Sequence, residues 1–407
     1  MALVVQKYGG TSVATPELIR RVAERIVSRH RSGDQMVVVV SAMGDTTDEL
    51  EALARRVTEN PSDREMDMLM ASGERISMSL LAMAVNELGV EAVSMTGGQS
   101  GIITDAVHRK ARILDMKPDR LFEQLDLGRI LIVAGFQGVT IENEETTLGR
   151  GGSNLSAVAL AYALNADVCE MNTDVDGIYT ADPRVVPDAR KLDVITPEEM
   201  LELASAGARV LQSRSVEFAS KHGVTIAVRS SFNQNPGTLI KEVAVLEEVV
   251  VRGIAHDLSE AKITVRRVTD RPGIAAKLFG ALALRSINVD MIIQNTSEAG
   301  TTDLSFTVPA GDLEPALEVC GAVKDDLGAG AADSDRNIAK VSVVGVGMKS
   351  NAGVAARTFQ ALADAGINIH MISTSEIKIS CVVSQDEGEE AVRVLHAAFG
   401  LASTDQE

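Results

Sequence analysis

The chain has no tryptophan, and aromatic residues of all kinds make up only 3% of its 407 residues. That scarcity argues against recognition by stacking nucleic-acid bases on aromatic platforms. Positive charge is also in short supply. Lys and Arg number 39 against 57 Asp and Glu, a formal net charge of −18. A general affinity for nucleic acid or an anionic membrane is therefore not expected, and an anionic substrate must be met by local basic groups. The three cysteines, Cys169, Cys320 and Cys381, have no metal-ligand spacing and lie in apolar surroundings. They are expected to be buried, reduced thiols of a cytoplasmic protein. None of the six histidines has a metal-like or triad-like spacing. No apolar run approaches the ~20 residues of a membrane span. The N-terminus enters a strand directly and shows no basic, apolar, small-residue leader. A Walker A loop, Gly-x-x-x-x-Gly-Lys-Ser/Thr, is missing altogether.

What is present is a globular composition, 45% hydrophobic, over a length that suggests two or three domains. The first twelve residues hold the feature that orders the rest. Leu3-Val4-Val5-Gln6-Lys7-Tyr8 reads as a buried strand, and Gly9-Gly10-Thr11-Ser12 follow it. Glycines that free backbone N–H groups, a lysine and two hydroxyls suit a phosphate cradle. The same pattern also fits an ordinary strand-to-helix turn with a solvated lysine.

Beyond it, strands and helices alternate for about 240 residues, as in one α/β domain with a mainly parallel sheet. Thr15 and Pro16 start a helix whose apolar face is Leu18, Ile19, Val22 and Ile26, and Gly33 ends it. Met36 to Val40 is a continuous apolar strand closing on Ser41. A helix is expected from Gly73 to Leu88, with strands over Val90–Met95 and Ile130–Ala134. Leu148-Gly149-Arg150-Gly151-Gly152-Ser153 opens a helix over Asn154–Leu164. The strand Ala166–Met171 leads into Thr173-Asp174-Val175-Asp176-Gly177. Thr196, Pro197 and Glu199 form a capping box, and Val224–Val228 is expected to be the last strand. The polar residues gather in loops at strand C-termini, where open α/β sheets bind ligands.

The remainder repeats itself. Pro272-Gly273-Ile274-Ala275-Ala276 is echoed by Ala352-Gly353-Val354-Ala355-Ala356, and Ile287-Asn288-Val289-Asp290-Met291 by Ile367-Asn368-Ile369-His370-Met371. A constant offset across a helix and a strand marks a duplication. Each copy reads as most of a ferredoxin-like βαββαβ unit. The second copy runs out before its last strand, and the apolar run Val249–Ile254 is available to fill that edge. The first copy is thus expected to be inserted in the second. The expected domains are 1–245, then 262–335, then 246–261 together with 336–407.

Several constellations can carry chemistry. The glycines and Ser153 around Arg150 offer helix-start N–H groups and a planar guanidinium suited to a carboxylate or phosphate. They also fit a tight turn with a surface arginine. Glu74, after Ser72-Gly73 at an expected helix start, is either a dipole-favoured residue or a receiver for a substrate ammonium. Asp174, Asp176 and Asp182 can hold Mg²⁺ or a ribose, or simply cap turns. Tyr179 and Arg184 can flank a base. In the repeats, Asp270-Arg271-Pro272-Gly273 and Asn288–Asp290 suit either turn chemistry or ligand sensing, and their duplication favours sensing.

Taken in order, Lys7-Tyr8-Gly9-Gly10-Thr11-Ser12, Ser72-Gly73-Glu74, Gly149-Arg150-Gly151-Gly152-Ser153, Thr173-Asp174-Val175-Asp176-Gly177 and Tyr179-Thr180-Ala181-Asp182-Pro183-Arg184 resemble the signatures of the aspartokinases. The repeats resemble the paired ACT domains of the same family, and the likeness covers essentially the whole chain. It implies an amino-acid kinase fold followed by two ACT units, the first inserted in the second. It further implies ATP- and Mg²⁺-dependent phosphorylation of the L-aspartate side chain to 4-phospho-L-aspartate, at the head of lysine, threonine and methionine synthesis. By matching position, Lys7, Tyr8, Gly9, Gly10, Ser41, Thr173, Asp174, Tyr179, Arg184 and Arg209 would hold ATP. Thr47, Glu74, Arg150, Gly151, Gly152 and Ser153 would hold aspartate. Lys7, Arg150, Asp174 and Asn154 would be catalytic. Threonine, lysine or both would bind Asp270, Gly273, Ile274, Ala275, Asn288, Val289, Asp290, Gln294, Val354, Ala355, Asn368, Ile369, Ser375 and Glu376. The family forms homo-oligomers through its ACT domains, or pairs with a shorter ACT-region chain. Three positions depart from the family pattern: Asn154 for an Asp, Asn172 for a Tyr, and Arg209 for a Lys. Two other readings stand beside this one, a different amino-acid kinase of the acetylglutamate or glutamate type and a catalytically impaired amino-acid sensor.

Overall fold

The computed structural model describes residues 1–208, 210–242, 250–294, 300–349, 351 and 353–403. These fall into two compact units. The described parts of Met1–Ile178, Lys191–Ala204 and Arg209–Ala244 make the first. Those of Tyr179–Arg190, Ser205–Ala208 and Val245–Glu407 make the second. Residues 179–190 and 205–208 thus group with the later part of the chain and not with the 1–245 domain read from sequence.

The first unit is built on an eight-stranded sheet. Its order is Val194–Ile195, Thr238–Ile240, Ile226–Ser230, Val168–Thr173, Leu3–Tyr8, Gln35–Val40, Ile130–Ala134, Ala92–Met95. Every pairing is parallel except that of Thr238–Ile240 with Ile226–Ser230. Continuous burial matches the continuous apolar runs: Met36 to Val40 are wholly excluded from solvent, as strands covered on both faces require. Helix Pro16–Arg31 covers part of one face with Ile19, Val22, Ala23, Ile26 and Val27. Its N-cap is Thr15, whose Oγ1 accepts from the Leu18 N–H at 3.3 Å. The capping box forms in both directions, Thr196 N–H to Glu199 Oε2 and Glu199 N–H to Thr196 Oγ1, each at 3.2 Å.

Two expectations are corrected. The helix expected from Gly73 begins at Asp63 and runs to Glu87. Gly73 therefore lies in its interior, where a Cβ would come within 2.9 Å of Ala42 Cβ. The glycine serves close packing and does not mark a helix start. By length and composition this helix could cross a membrane, but it buries Met66, Met70, Leu81 and Val85 in the unit and carries the buried Asp67 and Glu74. Second, the strand over Val224–Val228 is not the last. It spans Ile226–Ser230, and Thr238–Ile240 turns back to pair with it. A small sheet, in the order Ile113–Met116, Ile102–Thr104, Gln137–Val139, Glu145–Thr147, was not anticipated. Its strands of three or four residues are too short for a periodicity to show.

The second unit contains two four-stranded antiparallel sheets. One has the order Ile292–Gln294, Thr301–Pro309, Glu260–Thr269, Ala332–Asp335, and the other Met371–Thr374, Lys378–Ser384, Ile338–Val344, Gly253–Asp257. In chain order of each copy these are equivalent arrangements. The strand Gly253–Asp257, which precedes the first copy, takes the place of the fourth strand in the second, pairing Gly253 with Val344 through Asp257 with Lys340. The first copy is thus inserted in the second. In both copies a left-handed glycine, Gly273 (φ 93°) or Gly353 (φ 106°), starts the first helix. Cys169, Cys320 and Cys381 are buried and unbridged.

Candidate active site

The loops that follow four adjacent parallel strands, Val168–Thr173, Leu3–Tyr8, Gln35–Val40 and Ile130–Ala134, lie side by side at the C-terminal edge of the sheet. Such an edge is where an open α/β sheet takes its ligand. The opening stretch forms one wall. Lys7 is half-buried, and its ammonium lies so close over Gly9 that a Cβ there would be 3.3 Å from Nζ. Burial lowers the Lys7 pKa to about 8, with the neighbouring Asp174 carboxylate working against that shift. Gly9 has φ −73°, an ordinary value. The turn is therefore not a left-handed one, the Gly9 N–H donates to Asn172 O at 3.4 Å, and the glycines are there for close approach. A Cβ on Gly10 would lie 2.8 Å from Ala42 O. Tyr8 corrects the nucleotide assignment, because its ring is fully buried in the core with Val13, Ile19 and Val22 and only its backbone is at the site. That backbone receives the Ser41 N–H at 3.1 Å.

Ala42 ties this wall to Glu74. Its N–H donates to Glu74 Oε1 at 3.1 Å. Glu74 is 3% exposed, and its second oxygen, Oε2, is buried with no partner. Burial raises the Glu74 pKa to about 7, and the Ala42 hydrogen bond only partly offsets this. A buried carboxylate with one open oxygen is poised for a cation. Thr47 lies half-buried in the first turn of the adjoining helix Thr46–Val57.

The second wall is the glycine-rich loop after Glu145–Thr147. Gly149 (φ 77°) and Gly151 (φ 73°) are both left-handed, so glycine is needed here for conformation itself. Gly151 caps helix Gly152–Ala163, whose first turn carries the buried Ser153 and Asn154. Arg150 is exposed and has no ion-pair partner among the described residues. Beneath the loop, Phe136 holds φ 68°, rare for a bulky side chain and typical of a site fixed by its surroundings. Nothing in the sequence announced that strain. Gly135 is pressed onto Ser153, where a Cβ would meet Ser153 Cβ at 2.7 Å.

Other assigned residues scatter. Thr173 Oγ1 donates to Asp174 Oδ1 at 2.8 Å beside Lys7. Tyr179 and Arg184 fall in the segment that belongs to the second unit, and Arg184 there makes a two-pronged contact with Asp182, its Nε at 3.0 Å and Nη2 at 2.6 Å. Arg209 lies outside the described residues. Asn172 is fully buried, and neither its Oδ1 nor its Nδ2 has a partner.

In the second unit, Gly273 and Ala275 sit at a helix start and Asn288, Val289 and Asp290 in the loop before Ile292–Gln294. Gly353 and Ala355, with Asn368 and Ile369, occupy the same places in the second copy, and Ser375 and Glu376 follow Met371–Thr374. Asp270, Asn288, Gln294, Asn368, Ser375 and Glu376 are exposed. Ile274 and Val354 point their side chains into the two cores, leaving only backbone for a ligand. Lys340, 2% exposed, donates to Asp290 Oδ2 at 2.5 Å and to Glu260. Sequence reasoning passed over it because a lysine inside an apolar strand gives no local signal.

Comparison with known proteins bears on this arrangement. Residues 2–230 match the amino acid kinase family, and residues 262–322 and 341–399 match the ACT domain. The chain is 54% identical to the aspartokinase of Mycolicibacterium smegmatis over 412 aligned positions, covering 100% of this chain and 98% of that one. The chain belongs to the aspartokinase family. The family's aspartokinase from Corynebacterium glutamicum is 53% identical with the same coverage. Among solved structures, E. coli aspartokinase III in complex with aspartate and ADP (R-state) superposes with a TM-score of 0.83 at 26% identity, covering 97% of this chain and 99% of that one. The same enzyme in complex with lysine and aspartate (T-state) gives 0.75 at 27% identity, covering 98% and 99%. Membership makes the chain a kinase with the amino-acid kinase fold and C-terminal ACT domains.

Proposed function

We propose that the chain transfers the γ-phosphoryl group of MgATP to the side-chain carboxylate of L-aspartate, giving 4-phospho-L-aspartate and ADP, as the first step of lysine, threonine and methionine synthesis in the cytoplasm. The observation that carries this reading is Glu74. It is a buried carboxylate with one open oxygen, joined through Ala42 to the Lys7 and Gly10 stretch. An α-amino acid brings an ammonium for Glu74 and an α-carboxylate for Arg150, whose exposed fork has no competing partner among the described residues. Glu74, Arg150, Thr47 and residues 151–153 then fix the substrate, and its length selects which carboxylate reaches the phosphate. The aspartate and ADP bound by E. coli aspartokinase III support the same pair of ligands here.

The nucleophile needs no general base, because an aspartate side chain is ionised at neutral pH. The barrier is repulsion between anions and their alignment, so the protein supplies charge and position. One carboxylate oxygen forms a bond to the γ-phosphorus as the bond to the ADP oxygen breaks. Lys7 neutralises the charge in transit, Gly9, Gly10 and Ser41 cradle the phosphates, and Thr173 and Asp174 adjoin the nucleotide. Among the described residues no group of three or more His, Cys, Asp or Glu side chains is placed to hold a metal. Mg²⁺ accompanying the nucleotide would need only one or two carboxylate ligands, and Asp174, exposed beside Lys7, would be a suitable one, the metal supplying further neutralisation of phosphate charge. Asn154 keeps the shape of the family's acid without its charge.

The ACT units answer to threonine, lysine or both, at Asp270 to Ala275 and Asn288 to Gln294 and at their counterparts in the second copy. The chain assembles through these units with itself or with a shorter chain of the same region. The test is to incubate the protein with MgATP and an acid, and to trap any acyl phosphate with hydroxylamine. Hydroxamate with aspartate is expected. Hydroxamate with glutamate or acetylglutamate alone would point to a different amino-acid kinase, and none with any acid, alongside threonine or lysine binding, to an impaired sensor.

A further inference from the structure

Asp67 is fully buried, and the chemistry above gives it no task. It stands seven positions before Glu74 on helix Asp63–Glu87, two turns away on the same face. Its Oδ1 accepts from Thr147 Oγ1 at 2.5 Å and from the Arg109 N–H at 3.0 Å. Its Oδ2 also accepts from the Arg109 N–H at 3.0 Å, and His108 Nδ1 lies 2.8 Å from it. Thr147 and Arg109 both abut the Arg150 loop. Thr147 is the last residue of its strand, directly before Leu148. The Ala111 N–H donates to Thr147 O at 2.9 Å. Gly149 is pressed onto the Arg109 carbonyl, where a Cβ would lie 2.9 Å from the oxygen. Arg214 closes the layer by donating to Leu148 O and Ala111 O, each at 2.8 Å.

The left-handed glycines fix the shape of the loop but not its distance from the helix that carries Glu74. The geometry points to Asp67 as a positioning residue that sets the spacing between Arg150 and Glu74, the two ends of the amino-acid site. A carboxylate is suited to this because it accepts from several donors at once. An apolar residue would leave the part-buried Arg109 N–H and the buried Thr147 hydroxyl without this partner. The inference rests on the reading of residues 149–153 and Glu74 as the aspartate site.

The test compares Asp67→Asn, Thr147→Val, Thr147→Ser and Arg150→Ala in the full-length protein. Asp67→Asn and Thr147→Val are expected to lower kcat/KM for aspartate about tenfold or more, because small misplacements of a substrate are costly. The KM for MgATP should stay close to that of the parent, and Thr147→Ser, which keeps the hydroxyl, should restore aspartate kinetics. A merely structural role would lower the melting temperature and move both KM values together, and that result overturns the inference. Should Asp67→Asn fail to fold, the Thr147 pair decides, and unchanged aspartate kinetics in Thr147→Val sinks the idea. If Arg150→Ala itself leaves the aspartate KM unchanged, the substrate reading has failed. If Arg150→Ala raises it while Asp67→Asn and Thr147→Val do not, only the positioning role has failed.

Discussion

The two glycine-rich stretches of the first unit use glycine for different reasons. At Gly9 and Gly10 the backbone is ordinary, and what matters is that no Cβ stands between Lys7 and its loop or between Gly10 and the Ala42 carbonyl. At Gly149 and Gly151 the backbone is left-handed, so glycine is the condition for the loop to exist. The cations differ in the same way. Lys7 is drawn inward, and burial tunes its charge; Arg150 stays outside. On the proposed reading, one stretch would serve a charge that moves during reaction, and the other would hold a fixed anion in a fixed place.

The largest break in this contrast is expected from Lys7→Ala. Removing a charge that acts on the moving phosphoryl group should cost about a thousandfold in kcat/KM, measured by coupled ADP release, while aspartate binding measured by calorimetry survives. Gly151→Ala comes next. Its Cβ would lie 1.9 Å from Gln212 Cγ at φ 73°, so a loss of about 1–3 kcal/mol in unfolding free energy is expected by denaturant titration. Gly9→Ala faces only the end of a flexible lysine at 3.3 Å. It should fold with little change and raise the KM for MgATP several-fold. Equal destabilisation by the two substitutions would erase the distinction. Arg150→Lys keeps charge but loses the fork and should raise the aspartate KM by about tenfold with an unchanged melting temperature, since the residue is exposed.

The parallel strands were readable because Met36 to Val40 is apolar without a break and Leu3 to Val5 open the first strand in the same way, and burial on both faces leaves that mark. The duplicated units were readable because a constant offset survives in helix and strand alike. The displaced fourth strand followed from counting elements. The setting of Glu74 differs from the sequence reading, since Gly73 looks like a helix start and is a packing contact in mid-helix. Local sequence does not distinguish a glycine that ends an element from one that lets another chain segment approach. Asp67 and the strained Phe136 were missed for a related reason. Their partners, Thr147 and Arg109 for one and Ser156 for the other, are far away in sequence. The seven-residue spacing from Asp67 to Glu74 was the one usable hint.

The remaining expected effects concern pH, and they sharpen the contrast because Glu74 and Lys7 are both charges held against burial. The Glu74 pKa is raised to about 7, so its carboxylate is lost as the pH falls through that value. The kcat/KM for aspartate should then fall on the acid side. The Lys7 pKa is lowered to about 8, so its ammonium is lost as the pH rises through that value, and the kcat/KM for MgATP should fall on the alkaline side. Lys7→Arg should abolish the alkaline limb even at reduced activity, because a guanidinium stays charged. For stability the sign at Glu74 is set by the raised folded value. Below the ordinary carboxylate range the group is protonated in both states and imposes no penalty. The penalty grows as the pH rises and is complete above about 7. Glu74→Gln should therefore stabilise the protein at pH 8 by up to about 3 kcal/mol, and by nothing at pH 4, as read from denaturant midpoints. The same variant should lose aspartate binding. A Glu74→Gln protein that is no more stable at pH 8 than its parent would mean that the acid is not held charged against burial, and that the open oxygen is filled by something other than a substrate cation.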